Sequence, residues 1–80
     1  MMKKFRVDVG FGENFETVDE WKTMDGLDAM DAETAEDAAK EAACTDGLEN
    51  ALFMVYELVP DGFGGLEINR DSAKRFYFGE

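Results

Sequence analysis

The sequence predicts an α+β domain, with one helix packed on one face of an antiparallel sheet of four to five strands. Segments near both ends alternate apolar and polar residues with a period of two, which is typical of half-buried strands. Between them lies one alanine-rich segment with helical periodicity. The 80 residues, 45% hydrophobic and 34% charged, are enough for one core, so we assign residues 1–80 to a single domain.

The first strand is expected at residues 3–11, where Phe5, Val7 and Val9 alternate with polar or charged residues. Residues 15–30 are less clear, because large apolar residues recur every three positions among residue types that favour strands. We predict a second strand within this stretch, ending near residues 27–30.

Residues 31–44 give the clearest helical pattern. Asp31 is the expected N-cap, acidic residues fill the first turn, and Gly47 is the expected stop. The alanines lie on one side of the helix and the charged residues on the other. Because alanine side chains are small, we expect this helix to sit close to the sheet.

The remaining strands follow the helix. Residues 51–59 are apolar on both faces until Glu57, which indicates a central strand. Residues 60–65 are a loop by their Pro, Asp and Gly content, and residues 66–69 are the expected hairpin partner. We predict a turn or short helical piece at 70–74 and a final strand at 75–78.

Several chemistries are excluded by composition. The chain has no His and one Cys, so it cannot form a Ser-His-Asp triad, a Cys-His pair or a His/Cys zinc site. Neither glycine-rich segment opens a predicted helix, as a phosphate-binding loop would. We therefore expect no enzymatic activity and no cofactor.

A calcium site is the one metal site that the spacing suggests. Asp25 and Glu36 stand where an EF-hand loop has its first and last ligands, but Leu27, Ala29 and Met30 occupy the positions that need further ligands and a glycine. The EF-hand motif therefore fails and we predict no metal, although a looser calcium site on the surface stays open.

The ends and the cysteine indicate a cytoplasmic protein. No apolar segment follows the basic start, as it would in a signal peptide, and no apolar run is long enough to span a membrane. A single cysteine cannot form an internal disulfide, and Cys44 lies among Glu41, Asp46 and Glu49, which do not favour a reactive thiolate.

The distribution of charge is the most informative feature. The net charge is −11, and residues 7–69 hold 17 acidic residues against two basic ones. This balance disfavours direct contact with nucleic acid. It fits either solubility and salt adaptation, or a face that binds a strongly basic partner. The candidate partner-binding residues are Asp28, Asp31, Glu33, Glu36, Asp37 and Glu41. A second acidic patch is Glu13, Glu16, Asp19 and Glu20.

The chain resembles the small acidic proteins that phages and mobile elements encode, among them anti-CRISPR proteins. The resemblance lies in the Lys-Lys-Phe-Arg-Val start at residues 3–7, the short strand that runs into the acidic, alanine-rich segment at 31–39, and the closing strands. It implies a non-enzymatic inhibitor in the cytoplasm of a bacterial host. Such an inhibitor would bind a basic DNA-recognition surface of a CRISPR effector complex and block target DNA by nucleic-acid mimicry. We expect a monomer or weak homodimer.

The alternative is a structural or assembly protein of a phage or mobile element. Its acidic surface would serve only solubility or salt adaptation, and exposed aromatic residues such as Phe63 or Tyr77 would make a contact between copies.

Overall fold

The computed structural model of the chain describes residues 2–45, 47–48 and 50–78. Its strands and helix, in chain order, are β1 (Lys3–Gly10), β2 (Met30–Ala32), α1 (Ala35–Ala43), β3 (Leu52–Pro60) and β4 (Leu66–Tyr77). The strands form one antiparallel sheet in the order β2-β1-β3-β4. The predicted α+β fold, with one helix on one face of the sheet, is confirmed.

The core lies between α1 and the two central strands. Val7 pairs with Val55 and Val9 with Phe53, so all four side chains point to the same face of the sheet. Each is 2% exposed or less. The helix covers this face with four buried alanines, as the sequence predicts: Ala35, Ala38, Ala39 and Ala42.

The helix begins later than the sequence predicts. Its N-cap is Thr34, whose side-chain oxygen accepts a hydrogen bond from the Asp37 N–H at 3.1 Å. Asp31 was the expected cap, and that prediction is wrong, because Asp31 is still extended in β2 opposite Lys4. The C-cap is Cys44, and Gly47 takes a positive φ of 87° in the turn beyond it. Asp46 and Glu49, predicted neighbours of Cys44, lie outside the described residues.

The strand predicted within 15–30 is much shorter than expected. Most of residues 11–29 form an irregular segment, and β2 begins only at Met30. This segment follows the edge of β1 through two contacts: a bridge between Val9 and Lys22, and a hydrogen bond of 2.8 Å from the Val7 N–H to the Leu27 carbonyl.

Part of the same segment covers the sheet on the side opposite α1. A Cβ at Gly10 would lie 2.5 Å from Val18 Cγ1 and 3.0 Å from Trp21 Cε3, so the two side chains rest directly on the backbone there. The Trp21 ring stacks on Phe15 at 6.2 Å between centroids, and the Arg75 guanidinium lies 5.6 Å from the centre of the Phe15 ring. Because Val18 and Trp21 pack on the face of the sheet, this part of the segment does not pair as a strand despite its strand propensity.

The β3–β4 hairpin is confirmed, but its second strand is longer than predicted. The turn expected at 70–74 is instead an irregularity within β4, opposite the β3 positions from Val55 to Glu57. The Ser72 hydroxyl stabilises it by accepting from the Glu57 N–H at 2.7 Å and donating to the Asn69 carbonyl at 2.6 Å. The final strand predicted at 75–78 is therefore a continuation of β4.

Within the described ranges, α1 is too short to cross a membrane, and no other helix is present there.

Candidate acidic interface

The six candidate residues are all exposed, but they do not form one surface. They lie in three places: the loop before β2, β2 itself, and the outer side of α1 with the residue before its cap. In chain order they are Asp28, Asp31, Glu33, Glu36, Asp37 and Glu41.

Three of them form a column along the outside of the helix, which we call the helix column: Glu33, Asp37 and Glu41. Asp37 and Glu41 are one turn apart within α1, so their Cβ atoms lie about 5–6 Å apart, and Glu33 directly precedes the extended N-cap Thr34. Within the described part of the chain none of the three makes an ion pair. Glu36 lies beside them but is paired with Lys40, with 3.3 Å between Oε2 and Nζ.

Asp31 does not belong to the helix column. Met30 and Ala32 point into the core, so Asp31 between them points to the opposite face of the sheet. There its Oδ1 accepts from Lys4 Nζ at 2.8 Å. Asp28 is exposed in the loop before β2, outside α1.

The basic residues of β1 form ion pairs with carboxylates of the sheet. Lys3 lies 3.8 Å from Glu57, and Arg6 lies 2.9 Å from Asp8. Asp8 is buried and also accepts from the Thr23 hydroxyl, which in turn accepts from Arg6 Nε at 2.9 Å. The cations of the N-terminal segment therefore form their ion pairs with carboxylates of the sheet and not with those of the helix column.

The two ends of the helix column differ. Glu33 lines a groove of about 190 Å³ together with Lys3 and Lys74, so its charge is partly offset. Glu41 lines a groove of about 320 Å³ together with Asp25, which adds a second carboxylate. The groove at the C-terminal end of α1 therefore holds two carboxylates and, among the described residues, no basic lining residue, at the end where the helix dipole disfavours an acidic side chain.

From the sequence, Asp25 is considered only as a calcium ligand and not as part of an acidic interface. Its turn position beside Gly26 is visible in the sequence, and Gly26 has a positive φ of 89°. What places the turn against the end of α1 is the path of residues 11–29 along β1. No local signal in the sequence predicts that path.

A separate groove lies where the irregular segment leaves β1, and we call it the loop groove. It encloses about 380 Å³. Its lining residues are Val9, Phe11, Asp19, Glu20, Lys22 and Met24. Phe11 is 64% exposed and Met24 42%, so the groove presents apolar surface to solvent next to two carboxylates.

The two exposed aromatics of the alternative interpretation lie far apart. Phe63 is at the tip of the β3–β4 hairpin and is 94% exposed. Tyr77 is the last residue of β4, at the other end of a twelve-residue strand. The two rings therefore do not form one patch on a single chain.

In residues 2–45, 47–48 and 50–78 no group of three or more acidic, Cys or His side chains is arranged to hold a metal ion. The carboxylates of the helix column are exposed before the N-cap and along the outer side of α1 instead. This arrangement suits several simultaneous contacts with cations of a large partner.

Comparison with known proteins gave no match among family models, curated proteins or solved structures. The class of protein is therefore defined by the structure alone. It is a small α+β protein with a buried apolar core and acidic residues on the outer side of its helix.

Proposed function

We propose that the chain is a non-enzymatic inhibitor whose helix column binds a strongly basic, nucleic-acid-handling protein. The observation that supports it most is that, among the residues the structure describes, Glu33, Asp37 and Glu41 form no ion pair, whereas Lys3, Lys4 and Arg6 are each paired within the sheet. A helix selected for stability alone would carry mixed charges, because like charges four apart cost a few tenths of a kcal/mol.

The mechanism is competition for cationic side chains. Asp37 and Glu41, one helical turn apart, together with Glu33 present negative charge to lysine and arginine residues that otherwise hold DNA phosphates. The interaction forms quickly, because opposite net charges attract the partners over a distance. It weakens steeply as salt rises.

The specific partner that we propose is a CRISPR effector complex. The target would be the basic surface with which such a complex recognises DNA, in the cytoplasm of a bacterial host. The resemblance to phage-encoded anti-CRISPR proteins supports this choice, and the exposed helix column supports the mechanism.

The alternative, a structural or assembly protein of a phage or mobile element, is favoured by one observation. Phe63 is 94% exposed at the hairpin tip, which is unusual for a large apolar side chain and would suit a contact with another protein. An aromatic contact would persist at high salt, whereas binding through the helix column would not.

The test begins with a capture at low salt from a bacterial lysate that contains a CRISPR effector, followed by elution with rising salt. The association rate of the purified effector is then measured for a variant with Glu33→Gln, Asp37→Asn and Glu41→Gln. We expect a slower association and a flatter dependence on salt.

The matched control removes two charges from exposed positions outside both acidic patches, with Glu67→Gln and Asp71→Asn, and is compared with the helix variant Asp37→Asn and Glu41→Gln. It has the same net charge as that helix variant, so it separates a local binding face from a general effect of charge. Equal rates for the two variants would contradict the helix column as the binding face.

A further inference from the structure

We propose that the loop groove is an anchor site for an arginine side chain of the basic partner. This inference rests on the proposed function, since it gives the same partner a second contact. It concerns different residues from the helix column, so the two can fail separately.

The apolar lining of the groove fits the flat guanidinium and its aliphatic stem. Phe11 and Met24 are the exposed apolar residues that line it, at 64% and 42%. An arginine can lay its methylene groups on Met24 and stack its guanidinium on the Phe11 ring. At about 380 Å³ the space is near the lower end of the range for ligand pockets, roughly 300–1,000 Å³, so it suits one side chain.

The charged lining supplies the counter-ion. Asp19 and Glu20 are both exposed and line the groove. Lys22 also lines it, yet within the described residues no ion pair joins Lys22 to either carboxylate. The two carboxylates therefore have capacity to accept hydrogen bonds from an incoming cation. A guanidinium can donate two in parallel, whereas an ammonium acts as a point charge.

The molecule already contains such a contact on the same segment. The Arg75 guanidinium lies 5.6 Å from the centre of the Phe15 ring, four residues from Phe11. This internal pair shows that an aromatic side chain of the segment can be approached by a guanidinium over its face.

The position of the groove suits a partner that also meets the helix. Met24 lines the loop groove, and its neighbour Asp25 lines the groove shared with Glu41 of the helix column. The two acidic surfaces are therefore adjacent. A basic surface that spans both would gain from two linked contacts.

The experiment titrates the full chain with hexa-arginine and, separately, with hexa-lysine, and follows backbone amide signals by NMR. We expect hexa-arginine to bind at least about fivefold more tightly, with the largest shifts at residues 9–11 and 19–24. Equal affinities, or shifts confined to the helix, would overturn the proposal.

Two variants locate the contact. Phe11→Ala should reduce the preference for hexa-arginine to about twofold or less, and the control Phe63→Ala, which removes an equally large exposed ring, should keep it. A variant with Asp19→Asn and Glu20→Gln keeps the side-chain shapes and should weaken hexa-arginine binding more than the removal of two carboxylates by Glu67→Gln and Asp71→Asn. An unchanged preference in both groove variants would overturn the proposal.

The other occupant to test is a second copy of the chain. If sedimentation shows a dimer that Phe11→Ala dissociates, the groove is a self-contact and the arginine proposal is wrong. A preference for hexa-arginine that Phe11→Ala removes would support the groove site whatever the outcome of the effector experiment. If effector binding is unaffected by the helix variant while the arginine preference holds, it is the helix column that fails.

Discussion

The two faces of the sheet are covered in different ways. On one face α1 lies on β1 and β3 through alanines that are 0% to 8% exposed, and the contact is entirely apolar. On the other face an irregular segment rests on Gly10 with Val18 and Trp21, and it is fastened by the hydrogen bonds of Asp8, Arg6 and Thr23.

This difference separates stability from recognition. Alanine methyl groups pack the inner side of the helix against the sheet. The outer side of the helix does not contribute to this contact and can carry unpaired charge. The irregular segment contributes to the core with some residues and leaves others, including Phe11 and Met24, exposed at a groove. The helix contact tolerates almost no change in volume, whereas the segment can adjust.

The largest effect is expected on the helix-covered face. Ala39→Leu adds three carbons where the side chain is 0% exposed between two rigid elements, so it should lower the free energy of unfolding by about 1–3 kcal/mol. Chemical denaturation measures the loss. The exposed Ala29→Leu is the control and should change stability by less than about 0.5 kcal/mol. An equal result for the two would mean that the helix does not pack closely.

A smaller effect is expected where the segment rests on β1. Gly10→Ala places a methyl group 2.5 Å from Val18 Cγ1, but this neighbour belongs to a loop that can shift. We expect a loss near the lower end of the range for overpacking, about 1 kcal/mol. The double variant with Val18→Ala removes the colliding atom. If the double variant loses as much free energy of unfolding as the two single variants together, Gly10 and Val18 are not in contact.

Thr23→Val should cost a comparable or slightly smaller amount, about 0.5–1.5 kcal/mol. It keeps the side-chain volume but removes the hydroxyl that donates to the buried Asp8 carboxylate and accepts from Arg6. The exposed Thr45→Val is the control, and thermal unfolding compares them. Equal midpoints for the two variants and the parent would show that the network does not fasten the segment.

The smallest effect, and the only gain, is expected at the helix column. Glu41→Gln removes the like charge four residues after Asp37 and an acidic charge near the C-terminal end of α1, so the free energy of unfolding should rise by a few tenths of a kcal/mol, whereas Asp37→Asn in the first turn should give no gain. The rise should disappear in high salt. A clear loss of stability in Glu41→Gln would show that this carboxylate stabilises the fold, which would weaken the case for a binding role.

Periodicity predicted the elements whose pattern is local. The alternation of Phe5, Val7 and Val9 and the alanine spacing of α1 are written in neighbouring residues, and both were confirmed with their buried faces. The apolar run of β3 also predicted its central place, because a strand covered on both sides needs apolar residues at both parities.

The sequence by itself determined the fold class, the inner face of the helix and the excess of acidic residues on its outer face. Only the tertiary structure decided that Asp31 belongs to β2 and pairs with Lys4, that Trp21 packs on the sheet instead of forming a strand, and that Asp25 lies beside Glu41. The physical reason is that each of these depends on contacts between residues 11 or more apart in the chain. Such contacts follow from the register of β1 with its neighbours and leave no periodic trace in the sequence.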